Sequence, residues 1–192
     1  MQKIVLASGN RGKLKEMQQV LGSTGIELLL QTDFDIIDVE ETGKSFIENA
    51  ILKARHASAA TALPALADDS GLCVKALNGR PGIWSARFSG ADATDQKNNV
   101  RLLEALDGKT DRSASFVCVL ALVQHAGDPL PLICEGRWHG EILAEPRGSN
   151  GFGYDPLFFI PDLQCSSAEL EPELKNRHSH RGLALKQLLQ RL

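Results

Sequence analysis

KIVLASGNRGKLKEMQQVL, residues 3–21, is the stretch from which the fold is read. Lys3–Ala7 is a short apolar run of strand type that stops at Ser8-Gly9-Asn10. From Lys13 to Leu21 the apolar residues Leu14, Met17, Val20 and Leu21 recur at helical spacing. A strand feeding a helix through a glycine-containing turn is the opening unit of an α/β fold. The start of such a helix offers backbone N–H groups and the positive end of the helix dipole, which suit an oxyanion. Ser8 and Asn10 add side-chain donors, Gly9 and Gly12 allow close approach, and Lys13 adds a full charge. The same residues also read as an ordinary connection capped by Asn10 or Ser8. It is not a Walker loop, because Leu14 follows Lys13 where Ser or Thr is required.

Outward from that unit, Glu27–Leu30 reads as a second strand. Ser45-Phe-Ile-Glu48 is a capping box opening a helix to about Ala60. Ala65–Ala67 reads as a short strand broken by Asp68-Asp69-Ser70-Gly71, with a further strand over Leu72–Leu77. Helical spacing covers Ala91–Leu106, with Val100, Leu102, Leu103 and Leu106 on the apolar side. Ala114–Gln124 and Leu130–Trp138 are strand candidates joined through Ala126–Pro129. A glycine-rich loop, Glu145–Pro156, precedes a strand over Leu157–Ile160, and Gly182–Leu192 is an apolar helix. Early alternation of helices and strands followed by clustered strands predicts a mixed-sheet α/β fold.

The 192 residues suffice for one large domain or two closely joined lobes. The net charge of −3 argues against a nucleic-acid-coating surface, although a few convergent lysines can still hold a small polyanion. Cys73, Cys118, Cys134 and Cys165 show no zinc-type spacing. The opening MQKIVLASGN does not read as a signal peptide, and Phe116–Val123 is far short of a membrane span, so a cytoplasmic protein is expected.

Three further clusters carry chemistry. Asp68 and Asp69 repel unless a cation neutralises them, and magnesium with substrate phosphates is one solution; a solvated turn is the other. Glu40-Glu41 precede a helix on which Asn49, Lys53 and His56 share a face. Phe152 and Tyr154, in RGSNGFGYDP, either pack over a flat ligand or fold back on the sheet. Lys175-Asn-Arg-His-Ser-His-Arg181 suits phosphate or a purine carbonyl, or is a solvated basic turn.

Six strings in order, LASGNRGKLKE, EETGKSFIENAILKA, ADDSGL, RPGIWSARFSG, GSNGFGYDPLFF and KNRHSHRGLALK, span residues 6–186. With them the chain resembles the inosine triphosphate pyrophosphatase, or Ham1, family. Trp84 and Phe88 depart from it, standing where tyrosine is frequent. The resemblance implies an α/β fold with a mixed, strongly twisted sheet flanked by helices, in two lobes with the active-site cleft between them. It implies one nucleoside triphosphate pyrophosphatase domain over residues 1–192, acting as a homodimer without nucleic acid or membrane. The implied reaction takes deaminated purine nucleoside triphosphates (ITP, dITP, XTP) to monophosphate and pyrophosphate with Mg2+.

Residue by residue, the resemblance gives the triphosphate to Ser8, Gly9, Asn10, Arg11, Gly12, Lys13 and Lys53. Glu40 or Glu41, with Asp68 and Asp69, would form the metal and water site, Asp69 being the general base and Ser70 touching substrate. Phe152 would stack on the base, with Gly153, Tyr154 and Asp155 shaping the pocket, and Lys175, His180 and Arg181 reading the base edge. Rival readings are a nucleotide sensor without catalysis, a phosphatase and a pyrimidine-directed pyrophosphatase.

Overall fold

The computed structural model describes residues 2–192. In chain order the strands are β1 (Gln2–Leu6), β2 (Ile26–Leu30), β3 (Ala65–Val74), β4 (Ser113–Val123), β5 (Leu132–Ile142), β6 (Phe158–Ile160) and β7 (Cys165–Ser166). The helices are α1 (Arg11–Leu21), α2 (Phe46–Thr61), α3 (Asp95–Ala105), α4 (Pro172–His178) and α5 (His180–Leu189). The strands form one sheet in the order β2-β1-β3-β4-β5-β6-β7. β1 pairs in parallel with β2 and β3, whereas β6 pairs antiparallel with β5 and β7. The sheet is therefore mixed, as expected, and its edge strands are β2 and β7. No helix among the described residues is long and apolar enough to cross a membrane.

The chain divides into two compact units. The first comprises residues up to Asp69, Cys118–Gly136 and Leu183–Leu192. Its core gathers Ile4 and Leu6 of β1, Met17 and Leu21 of α1, Leu28 and Leu30 of β2, and Ala184, Leu185 and Leu188 of α5. Burying the apolar stripe of a surface helix against a sheet is what stabilises it. The last helix is thus core rather than free surface, although Leu192, beyond its end, is exposed. The loop between β4 and β5 is tied by Asp128, whose carboxylate accepts N–H bonds from Gln124 and Leu130, both at 2.9 Å.

The second unit comprises Ser70–Val117 and Arg137–Gly182. Its core includes Leu72, Leu102, Leu106, Phe116, Trp138, Leu157 and Phe158.

Several expectations are corrected. Asp68-Asp69-Ser70-Gly71 does not break a strand: β3 runs unbroken from Ala65 to Val74, and Lys75–Leu77 is a 3-10 turn instead of strand. The turn-forming tendency of these residues yields to ion pairing, described below. Val100 is half exposed and leaves the apolar side of α3 to Leu102, Leu103 and Leu106. That helix starts at Asp95, not Ala91, because Thr94 caps it by accepting the Lys97 N–H. The basic segment before α5 contains a short helix, α4, which polar composition had hidden.

The capping box at Ser45 forms: its hydroxyl accepts the Glu48 N–H, and the Glu48 carboxylate accepts from Ser45 Oγ and the Lys44 N–H. The Ser45 hydroxyl and the Lys44 N–H hold the Glu48 carboxyl below its ordinary value. That contribution is present above the unfolded glutamate value and is lost as pH falls through the lowered one. Ser45→Ala is expected to lower stability by about 1 kcal/mol in urea denaturation, with the slope unchanged.

Candidate active site

In the first unit, the parallel register of β1 and β3 brings two of the sequence clusters side by side. Leu6 lies opposite Leu66, and the Ala7 N–H donates to the Leu66 carbonyl at 2.8 Å. Two residues beyond that pair come Ser8, just past the carboxyl end of β1, and Asp68, inside β3. This is where α/β sheets place ligands.

Successive strand side chains point to opposite faces, so the two aspartates find different partners. Asp68, buried, receives the Lys13 ammonium of α1 on both carboxylate oxygens at 2.9 Å. Asp69, also buried, receives the Lys53 ammonium of α2 at 2.8 Å. The same Lys53 Nζ donates to Glu41 Oε1 at 2.7 Å. Asn49, one turn before Lys53, approaches Asp69 Oδ2 at 3.4 Å and fixes its own amide by accepting the Gly43 N–H at 2.8 Å. Glu40, by contrast, is exposed.

Burial, reinforced by the Glu41 charge, pushes the Asp69 carboxyl above the ordinary aspartate value, against the opposing pull of Lys53. Burial also draws the Lys53 ammonium down, but the Asp69 charge and the bonds to Asp69 and Glu41 outweigh it and leave the value raised. A buried carboxylate with raised proton affinity is suited to take a proton from water.

At the helix start, Asn10 is the cap. Its Oδ1 accepts from the N–H groups of Gly12 at 2.8 Å and Lys13 at 3.1 Å, and its own N–H donates to Ser8 Oγ. Two of the N–H groups expected to await an anion are therefore held by the chain's own side chain. Lys13 in the first helical turn also has its reason within the fold, since Asp68 offsets the unfavourable dipole contact. Arg11, Gly9 and Gly12 are exposed and Ser8 is half-buried.

In the second unit, Phe152 is 66% exposed. Its N–H donates to Asp155 Oδ2 at 2.8 Å, and Asp155 Oδ1 accepts from Ser167 Oγ at 2.8 Å. The Lys175 ammonium of α4 pairs with Asp155 and lies 5.0 Å from the Phe152 ring centroid, a cation–π contact. A Cβ on Gly151 (φ 78°) would collide with the Asp155 carboxylate, which accounts for glycine at that position. Tyr154 folds inward: its ring joins the apolar core and its hydroxyl donates to the Ser85 carbonyl at 2.8 Å. Burial, then the Asp95 charge, raises that hydroxyl's pKa well above the usual value. The His180 ring stacks on Phe116, with centroids 4.9 Å apart and planes 14° apart, and Arg181 is buried. Ser70 is half-buried, while Arg177 and His178 are exposed.

The Ham1 family model matches residues 4–191. The chain is 55% identical over its whole length to a dITP/XTP pyrophosphatase of Vibrio parahaemolyticus, covering 97% of that protein. It is 57% identical, again over its whole length, to a dITP/XTP pyrophosphatase of Shigella flexneri, covering 98% of it. The chain belongs to the Ham1 family. A solved Ham1 protein from Coxiella burnetii superposes with a TM-score of 0.97 at 56% identity, over 99% of this chain and 98% of that one.

Within this Ham1 chain, the structure brings together Lys13, Glu41, Lys53, Asp68 and Asp69 in one unit, and Phe152, Asp155 and Lys175 in the other. Glu40 does not join the first set. Asn49 belongs to it, and its signal was present in the four-residue step to Lys53. Ser167, Asp95 and Asn99 support the second set and lie outside the recognisable strings. Among the described residues, no three carboxylate, imidazole or thiol side chains form a metal-holding group.

Proposed function

We propose that this chain hydrolyses deaminated purine nucleoside triphosphates, dITP, ITP and XTP, to the monophosphate and pyrophosphate. The observation that carries the reading is the pairing of buried Asp68 and Asp69 with Lys13 and Lys53, in a chain 57% identical to a dITP/XTP pyrophosphatase. The first unit takes the triphosphate, through Ser8–Lys13 and Lys53. The second takes the base, with Phe152 stacking and Lys175, His180 and Arg181 at its edge. On this reading the chain is one catalytic domain, cytoplasmic and homodimeric. Trp84, half exposed, is open to such a dimer, whereas the last helix is packed in the core.

The donor set fits magnesium. Glu41, Asp68 and Asp69 are hard oxygen donors, and each carboxylate already holds an ammonium, so the site is built around positive charge. Mg2+ keeps water and substrate phosphate among its ligands, so a full protein cage is not required. Bound there by Glu41, Asp68 and Asp69, it would supply charge neutralisation on phosphate oxygens. Asp69 removes the proton from the water attacking the α-phosphorus in line, and Lys13 and Lys53 stabilise the departing pyrophosphate.

For the base, a donor from His180 or Arg181 meets the six-position carbonyl of hypoxanthine or xanthine. It meets the amino group of adenine as a mismatch, costing about 1–3 kcal/mol for the unpaired buried group. The test incubates ITP, GTP, ATP and UTP with and without magnesium and identifies the phosphate released. Magnesium-dependent pyrophosphate from ITP, well above that from ATP and UTP, is expected. Orthophosphate would indicate a phosphatase, and no release a sensor.

A further inference from the structure

Gly153, between Phe152 and Tyr154, is gripped at both of its backbone polar atoms by α3. Its N–H donates to Asp95 Oδ2 at 2.7 Å, and its carbonyl accepts from Asn99 Nδ2 at 2.8 Å. Asp95 and Asn99 are four residues apart, so their side chains lie on one face of the helix. Asn99 Nδ2 is itself steadied by the Asp95 carbonyl at 2.9 Å. The gripped residue has φ 63°, in the left-handed region that favours glycine. On either side, the Phe152 N–H is taken by Asp155 and the Tyr154 hydroxyl by Ser85.

The outcome is unusual for a loop. The segment around Phe152 is fastened from three directions, yet Phe152 itself stays two-thirds exposed. Fastening of this kind gains no burial of the ring, and so contributes little to the core. Its physical effect is to remove the freedom that the loop would otherwise lose when a flat ligand settles on the ring.

We infer that Asp95 and Asn99 are positioning residues that hold the Gly153 peptide so that Phe152 is preset for the purine, and thereby set affinity for the base. They act through Phe152 and touch no substrate. The inference rests on the reading that Phe152 stacks on the base.

The test compares Asp95→Ala, Asp95→Asn, Asn99→Ala and Phe152→Ala with the unaltered protein. KM and kcat are measured for ITP, and inhibition by inorganic tripolyphosphate reports phosphate binding without a base. Asp95→Ala should raise KM about five- to tenfold, with kcat little changed and tripolyphosphate inhibition unaltered. Asp95→Asn, which keeps an acceptor for the Gly153 N–H but loses the charge, should recover most of that loss. Asn99→Ala should shift KM in the same direction, and decides the matter if Asp95→Ala does not fold.

An unchanged KM in both alanine variants at 95 and 99, with Phe152→Ala raising it, would overturn the positioning role and leave the stacking reading intact. An unchanged KM in Phe152→Ala would overturn the stacking reading itself. Weakened tripolyphosphate inhibition in parallel with the KM rise would mark a general structural defect, and would also overturn the positioning role.

Discussion

Asp69→Asn is expected to lower turnover of ITP by about 10³-fold while nucleotide affinity stays within a few-fold of normal. The substitution is isosteric and keeps a carbonyl oxygen near Lys53 and Asn49, so the local packing survives. What it removes is the negative charge and the basic site. In the folded protein that site has a raised proton affinity, chiefly because the carboxylate is buried. Lys53 keeps its bond to Glu41 and so remains in place to meet phosphate oxygens. Pyrophosphate release and calorimetric nucleotide binding, measured on the same preparation, separate the two effects. Near-normal release by the variant would contradict the assignment of Asp69 as base.

The second large effect is on stability. Lys13→Met removes the ammonium that both oxygens of Asp68 engage, and the Asp68 side chain is 1% exposed. Breaking a buried pair from one side costs about 3–5 kcal/mol, and the partial exposure of Lys13 reduces this to about 2–3 kcal/mol. The double variant Lys13→Met, Asp68→Asn should recover much of the loss, since it no longer buries the charge. A single variant as stable as the unaltered protein, by urea denaturation, would show that this pair does not hold the loop to β3.

The contrast between Lys13 and Val100 shows what was readable from sequence and why. Elements with strong periodicity or capping chemistry were legible: β1, α1 and the Ser45 cap appear where the residues place them. Asp68-Asp69-Ser70-Gly71 misled because turn preference is local, whereas the lysines that neutralise the two carboxylates lie 55 and 16 residues away. Only the register of β1 on β3 and the packing of α2 reveal that the pair belongs inside a strand. Val100 fits a helical stripe by count but lies on the exposed side, a matter of helix rotation that residue spacing alone does not define. In the site, Lys13, Lys53 and Asp69 were legible as residue types. The split between Glu40 and Glu41, the inward turn of Tyr154 and the grip of α3 on Gly153 depend on side-chain directions alone.

The central claim is water attack at the α-phosphorus with pyrophosphate leaving, and hydrolysis of ITP in ¹⁸O-labelled water tests it most directly. The account predicts inosine monophosphate carrying one ¹⁸O on its phosphate, together with unlabelled pyrophosphate. Label in the pyrophosphate, or release of orthophosphate and a diphosphate, would contradict it.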